Sequence, residues 1–235
     1  MGGGRPTGEP FLTEAAPLPA GGLEVRFGGD RPTTLRRSNL LKLEESIDSW
    51  ESRKDLRWIA FTSAGGTFLA GADFSELAPL TGAEAFEFSL AGTRLSGRMK
   101  RSRLWLVACP AGACMGGGLD FLMACDYRIA SPKAFLGHPG PRLGLITGWG
   151  GTASLPRRSG AGIPALLAGR RFDADEALKA GFIEEVAEDP LEAACRRAAR
   201  SASLNLALVK EISRLDALPI AFRLRLERLS ARVNL

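Results

Sequence analysis

Two glycine-rich segments, far apart in the chain, constrain its fold more than any other feature. The first covers residues 68–73 and follows an apolar run at residues 56–61 that has the pattern of a buried strand. The second covers residues 113–120 and follows a similar run at residues 104–109. Both place small residues where a strand ends and a helix can begin, so each can turn a free peptide N–H toward the same point. Two such donors that meet at one oxygen form an oxyanion hole, which stabilises charge developing on a carbonyl.

The second segment has the stronger local signal. Its three glycines, residues 116–118, remove side chains where a ligand carbonyl would have to approach closely. If Gly117 begins the next helix, its N–H has no partner within that helix and lies at the positive end of the helix dipole. Asp120 then falls in the first turn and can reach the same pocket. A tight turn, with Asp120 only complementing the dipole, explains this segment taken alone; the pair of segments favours the pocket.

The order of the remaining elements predicts a layered α/β domain, because strand, loop and helix recur in turn. The apolar and alternating runs predict strands at residues 23–27, 56–61, 104–109, 127–130, 134–137 and 182–186. Helical spacing and capping signals predict helices around Leu40–Leu43–Ile47–Trp50, at residues 83–99, 118–125 and 191–216, and a short one framed by Asp173, Glu176 and Gly181.

We expect one domain with a helical region after it. Residues 1–20, rich in glycine and proline, are predicted to be a flexible lead-in, residues 21–160 the α/β core with the oxyanion hole, and residues 161–235 helical. An apolar stripe in the last segment, running from Leu218 to Val233, suits either packing on its own domain or a contact between subunits.

The composition excludes several classes of protein. The 235 residues contain no stretch of ~20 apolar residues and no signal-peptide pattern, so we expect a cytoplasmic protein without a membrane span. The four cysteines have no paired spacing, and with one histidine a Cys/His metal site is not expected. The net charge of +5 comes from scattered arginines without interleaved aromatic residues, which argues against nucleic-acid binding. No Gly-x-Ser-x-Gly or phosphate-loop motif is present.

The two glycine segments, together with motifs beyond them, resemble the crotonase family, the enoyl-CoA hydratases and isomerases. The resemblance extends from about residue 23 to residue 215. It is carried by several motifs in the same order: Ala70-Gly71-Ala72-Asp73, Gly116-Gly117-Gly118 with Cys125-Asp126, residues 135–152 ending in Thr147-Gly148-Trp149-Gly150-Gly151-Thr152, and residues 167–180.

This resemblance implies a spiral of ββα repeats with a C-terminal helical region, assembly into homotrimers or hexamers, and an acyl-CoA thioester substrate. Coenzyme A would enter as part of that substrate, and no separate cofactor is implied. The amides of Ala72 and Gly117 take the oxyanion-hole positions by motif. The residues around them are expected to contact the substrate: Ala70, Gly71, Gly116, Gly140 and Trp149. Trp149 is expected to be a wall of the acyl pocket or part of the core.

The chain departs from the family pattern at the groups that handle water. Hydratases carry two glutamates; the first falls on Asp120, and the second falls on Gly140. No Asp or Glu occurs between residues 127 and 172 to replace it. We therefore expect one carboxylate to act as general acid/base, which suits double-bond isomerisation, decarboxylation or ring chemistry better than two-carboxylate hydration. The alternative is a non-catalytic relative that binds acyl-CoA or partners a competent subunit.

Two further positions carry expectations of their own. His138, the single histidine, is a candidate for proton transfer near neutral pH, or for a positioning residue that replaces a family glutamine. The family's basic residue near the coenzyme A phosphates falls on Ser75, and Arg36 or Arg37 could compensate for it.

Overall fold

The computed structural model describes residues 10–28, 32–145, 147–154, 164 and 168–200. Within these ranges the strands are β1 (Leu12–Leu18), β2 (Gly22–Phe27), β3 (Trp58–Ser63), β4 (Thr67–Leu69), β5 (Trp105–Ala108), β6 (Ala113–Met115), β7 (Tyr127–Ala130), β8 (Phe135–Gly137), β9 (Arg171–Asp173) and β10 (Glu185–Val186). The helices are α1 (Arg37–Ser52), α2 (Phe74–Leu77), α3 (Gly82–Arg101), α4 (Gly117–Ala124), α5 (Gly151–Ser154), α6 (Ala174–Lys179) and α7 (Pro190–Arg200), with a 3-10 helix at Gly140–Leu143.

The strands form two sheets that the chain visits alternately. Strands β3, β5 and β7 are parallel neighbours in a six-stranded sheet of order β1-β2-β3-β5-β7-β10. The strand that follows each of them, β4, β6 or β8, lies in a four-stranded sheet of order β4-β6-β8-β9. Helices follow β4 and β6, and the 3-10 helix follows β8. Each turn therefore adds one strand to each sheet, and the predicted spiral of ββα repeats is confirmed.

The inner strands β2, β3 and β5 of the larger sheet are buried on both faces. Successive residues of a strand point to opposite sides, and in β3 Ile59 and Phe61 join the main core, whereas Trp58 and Ala60 join a second cluster with α7. In the main core the Phe61 ring stacks on Phe27 at 5.6 Å between centroids and meets Phe121 edge-on at 5.0 Å. Strands covered on both faces are near-continuous apolar runs, which is why the runs at 56–61 and 104–109 were recognisable.

The two long helices form the outer layer over the core. Helix α1 buries the predicted stripe of Leu40, Leu43, Ile47 and Trp50. Helix α3 begins at a capping box in which Thr81 and Glu84 satisfy each other's backbone N–H. Its residues Ala91, Leu95 and Met99 are buried, and it carries one wall of the cavity described below.

Three predictions about local structure need correction. Residues 12–18 are not a flexible lead-in but strand β1, an edge strand, where Pro17 is tolerated because its missing N–H costs no ladder bond. In the predicted strand 182–186 only Glu185–Val186 pairs with β7, while Phe182 packs on Phe172. Each glycine segment begins with a short strand of its own, β4 or β6, so its glycines follow that strand and not the longer run before it.

Other predictions lie partly or wholly outside the described residues. Helix α7 confirms the predicted helix 191–216 as far as residue 200, and residues 201–235, with the apolar stripe, are not described. Residues 1–9 of the predicted lead-in are likewise outside. All four cysteines are free, and Cys109, Cys114 and Cys125 are buried. None of the helices in the described ranges combines the length and the apolar character needed to cross a membrane.

Candidate active site

The two glycine segments are in direct contact. Gly71 has φ +92° and Gly116 has φ +57°, a left-handed backbone that favours glycine. A Cβ built on Gly71 would lie 2.8 Å from the Met115 carbonyl oxygen and 3.0 Å from the Gly117 nitrogen. Any side chain at residue 71 would therefore separate the segments, so the glycines are required for their close approach.

The peptide N–H groups of Ala72 and Gly117 make no hydrogen bond to any residue that the structure describes. The Leu35 N–H donates to the Gly71 carbonyl at 2.7 Å, and the Asp73 N–H donates to the Leu35 carbonyl at 3.4 Å. In such a parallel bridge the middle residue, Ala72, has its own N–H directed away from Leu35. Gly117 is the first residue of α4, where an N–H has no helical partner. Within the described ranges neither N–H has a hydrogen-bond acceptor in the protein.

Both residues line a cavity of about 300 Å³. Its walls come from the two glycine segments, α2, α3, the segment after β8 and the loop before α5. All nine residues predicted for the site line it: Ala70, Gly71, Ala72, Gly116, Gly117, Asp120, His138, Gly140 and Trp149.

The Asp120 carboxylate is buried in this cavity with few hydrogen-bond partners. The residue is 4% exposed, its Oδ2 accepts a hydrogen bond from the Thr147 hydroxyl, and its Oδ1 has no partner in the described part of the chain. Burial raises the pKa of Asp120 from 3.8 to about 6. The Thr147 hydrogen bond and the positive charge of Lys100 oppose this rise. The carboxyl group can therefore change its protonation state close to neutral pH.

Lys100 is the cation whose charge lowers the pKa of Asp120. It lies near the end of α3, and its ammonium group donates to the hydroxyl of Ser154 in α5. Burial lowers the pKa of Lys100, and the charge of Asp120 partly restores it. Sequence reasoning missed Lys100 because the residue is brought to Asp120 only by the packing of α3 on α4.

Trp149 forms one wall of the cavity, as expected. A Cβ on Gly117 would lie 2.1 Å from the indole, and a Cβ on Gly92 of α3 would lie 2.2 Å from it, so the ring fills the space between two glycines. The Phe88 ring packs edge-on against it at 5.3 Å. The hydroxyls of Ser89 and Thr93 each donate to the Gly148 carbonyl at 2.8 Å, which ties this loop to α3.

Several cavity residues were not identified from the sequence. Thr147 stands out in the sequence only as part of the Thr147–Thr152 motif, because its contact with Asp120 depends on the path of the loop before α5. The apolar residues of the cavity wall belong to elements whose nearness to the glycine segments cannot be read from the sequence. These residues are Phe74, Leu77, Ala85, Phe88, Leu143 and Leu145.

A comparison with protein families decides the classification. The family model described as enoyl-CoA hydratase/isomerase matches residues 30–217, which is most of the chain. The chain belongs to the enoyl-CoA hydratase/isomerase family.

Individual relatives agree with this assignment. The chain is 33% identical over 165 residues to the short-chain-enoyl-CoA hydratase of Clostridium acetobutylicum, a match that covers 68% of this chain and 63% of that protein. It is 31% identical over 176 residues to the fatty acid oxidation complex subunit alpha of Ectopseudomonas oleovorans, covering 72% of this chain and 25% of that protein. The matches therefore span less than two thirds of these relatives.

A solved structure supports the fold assignment over nearly the whole chain. The enoyl-CoA hydratase of Bacillus anthracis superposes with a TM-score of 0.86 at 26% sequence identity. The superposition covers 95% of this chain and 90% of that one. The crotonase-type spiral predicted from the motifs is thus confirmed.

The family's second glutamate position, Gly140, is at the cavity and has no side chain to offer. Among the described residues Asp120 is the only carboxylate that lines the cavity. His138, two positions before Gly140, lines it too, is 8% exposed, and burial lowers its pKa. The cavity thus contains one carboxylate and one imidazole as its titratable side chains in the described ranges.

Ser75, which stands at the family's basic position near the first segment, belongs to a hydrogen-bond network around Asp73. The Ser75 hydroxyl donates to Asp73 Oδ1 at 2.5 Å, and Arg36 Nε donates to Asp73 Oδ2 at 2.8 Å. Arg36, considered above as a substitute cation for coenzyme A, is thus paired with Asp73, while its side chain stays half exposed.

Proposed function

We propose that this protein is an acyl-CoA enzyme that stabilises a thioester enolate with the peptide N–H groups of Ala72 and Gly117. The observation that supports this most strongly is that both amides lack an acceptor among the described residues and lie in contacting segments at the wall of one cavity, beside a buried carboxylate. The thioester carbonyl oxygen accepts both hydrogen bonds. Each such donor is worth ~3 kcal/mol to the charged transition state.

Asp120 is the general acid/base in this proposal. Because its pKa is raised to about 6, its carboxylate is a stronger base than an ordinary aspartate, and its acid form persists near neutral pH. It can exchange a proton with the acyl chain. The Thr147 hydroxyl fixes one carboxylate oxygen, and the other has no partner among the residues that the structure describes.

The reaction that these groups favour is a proton shift, such as double-bond isomerisation, rather than hydration between two carboxylates. The absence of a side chain at Gly140, and of any other carboxylate among the described cavity residues, supports this preference. The apolar walls at Phe74, Phe88 and Trp149 suit a hydrocarbon acyl group. The names of two relatives, a short-chain-enoyl-CoA hydratase and a fatty acid oxidation complex subunit, support a substrate from fatty acid metabolism.

Exchange of the protons next to the thioester tests the proposal without knowledge of the natural acyl group. Butyryl-CoA incubated with the protein in D₂O should lose its α-proton NMR signal faster than in buffer alone. Ala72→Pro removes one donor, since proline has no N–H, and should slow the exchange ~10²–10³-fold. Ala72→Gly keeps the N–H and is the matched control, which should remain within a few-fold of the unmodified protein.

Binding of butyryl-CoA without any exchange would support the alternative, a non-catalytic acyl-CoA binder or partner subunit. Equal rates for the proline and glycine variants would refute the role of the Ala72 amide.

Assembly and location complete the proposal. By resemblance to the family, the protein is a homotrimer or hexamer and works in the cytoplasm. Light scattering on the purified protein would measure the size of the assembly.

A further inference from the structure

His138 is held in a position that a structural role alone does not explain. It follows β8 and lines the cavity that contains Asp120. The residue is 8% exposed, its Nδ1 atom is fully buried, and Nδ1 has no hydrogen-bond partner in the described part of the protein. A buried polar atom without a partner costs about 1–3 kcal/mol, so such atoms call for an explanation, and a catalytic role is one.

The imidazole stands where a side chain at residue 140 would begin. A Cβ built on Gly140 would lie 2.8 Å from both His138 Cε1 and His138 Nδ1, and 2.9 Å from the Leu145 carbonyl oxygen. No residue except glycine fits at position 140 while the ring keeps this place. The absence of a carboxylate side chain at residue 140 and the position of the His138 ring therefore depend on each other, because a side chain at residue 140 would displace the ring.

The charge states of the two cavity groups are suited to an exchange of protons. Burial lowers the pKa of His138 below 6.5, so the ring is mostly neutral at neutral pH and can accept a proton. Burial raises the pKa of Asp120 to about 6, so part of that group carries a proton that it can donate. Desolvation thus shifts the two pKa values in opposite directions, so that a neutral imidazole able to accept a proton and a protonated carboxyl able to donate one can be present in the same cavity.

We propose that His138 is a second catalytic residue, the proton acceptor that works with Asp120. This inference rests on the proposed function. The imidazole takes one C–H proton of a 3-enoyl thioester, and the electron pair moves through the conjugated system onto the carbonyl oxygen held by the two amides. As the pair returns, the protonated Asp120 delivers a proton to the carbon at the other end of the allylic system. The imidazolium then releases its proton to solvent and the Asp120 carboxylate takes one up from solvent, which restores both groups without any co-reactant.

Two variants of His138 test the proposal with trans-3-hexenoyl-CoA, monitored by the absorbance of the conjugated product. His138→Gln keeps polarity and similar size but cannot accept a proton at neutral pH. We expect kcat to fall ~10²-fold or more, with KM within about threefold of the unmodified enzyme. His138→Ala should be equally slow, and free imidazole in the buffer should restore part of its kcat. Asp120→Asn is the matched control, which imidazole should not rescue.

The outcomes separate the two levels of the proposal. Near-normal kcat in His138→Gln would overturn the catalytic role and leave His138 as a positioning residue, with the proposed function intact. A large loss of kcat in both His138→Gln and His138→Ala, together with partial recovery of His138→Ala in the presence of imidazole, would establish the role. Binding of the thioester by the unmodified protein without turnover would instead overturn the proposed function itself, and the role of His138 with it. Quenching of tryptophan fluorescence by the thioester reports whether each variant still folds and binds.

Discussion

Asp73 and Asp120 each belong to one of the glycine segments, and both are buried, yet their surroundings differ in kind. Asp73 Oδ1 accepts from the Ser75 N–H and hydroxyl, and its Oδ2 accepts from Thr34 and Arg36. Asp120 accepts from the Thr147 hydroxyl alone among the described residues. The Ser75 hydrogen bond, followed by those of Thr34 and Arg36, holds the pKa of Asp73 far below its usual range, whereas burial raises that of Asp120 to about 6.

The difference teaches that burial alone does not decide what a carboxylate can do. Four donors stabilise the charged form of Asp73, so it is permanently ionised and caps the short helix α2. Asp120, with a single donor in the described ranges, keeps one oxygen without a partner there and has a pKa near the working range of an acid/base catalyst. The two aspartates therefore serve as internal controls for each other.

The largest expected effect is on turnover. Asp120→Asn removes the ionisable group and should lower kcat for enoyl-CoA substrates ~10²–10⁴-fold. Asp73→Asn should leave kcat within a few-fold, because Asp73 does not line the cavity. Initial rates with crotonyl-CoA and trans-3-hexenoyl-CoA measure both variants. Activity that survives Asp120→Asn would rule out the assigned role.

The second effect is on stability, and its sign differs between the two residues. The pKa of Asp120 is higher in the folded protein, about 6, than its ordinary 3.8, so the folded state binds this proton more tightly. Its stabilising contribution is fully present below about pH 4 and is lost as the pH rises through 6. Asp120→Asn removes the ionisable group and with it the cost of keeping a buried charge above pH 6. The variant should therefore have a free energy of unfolding that is higher by up to ~3 kcal/mol at pH 8, and by less at pH 5.

For Asp73 the folded pKa is depressed, so its contribution is present above the ordinary pKa and is lost as the pH falls. Asp73→Asn should therefore lower the free energy of unfolding at pH 8. Urea unfolding of both variants at pH 8 and pH 5 measures the four values. Destabilisation by Asp120→Asn at pH 8 would contradict the raised pKa.

The smallest effects should come from removing one hydroxyl from each site. Thr147→Val removes a hydrogen bond that favours the carboxylate, so the pKa of Asp120 should rise further above 6. The pH dependence of turnover measures this shift. Ser75→Ala leaves Asp73 with three donors and should cost ~1 kcal/mol of unfolding free energy without changing kcat. A larger change in kcat for Ser75→Ala than for Thr147→Val would reverse the contrast between the sites.

Much of the site could be predicted because glycine and strand patterns are local. Gly71 and Gly116 are needed for a left-handed backbone, and Gly117 begins a helix, so each segment carries its own signal. The strand runs were recognisable because the inner strands of the larger sheet are covered on both faces. Strand β1 was missed because an edge strand that is half exposed, with a proline, has no such run.

The amino-acid sequence determined the alternation of strands and helices and the two glycine segments where side chains do not cover the backbone. It also determined that the predicted pocket has a single carboxylate and a single histidine. Only the tertiary structure decided the orientation, the neighbours and the pKa of those groups. It directed the Ala72 N–H away from Leu35, brought Thr147 and Lys100 to Asp120, and set the His138 ring against Gly140. The physical reason is that a pKa depends on burial and on neighbours through space, and residues distant along the chain supply both.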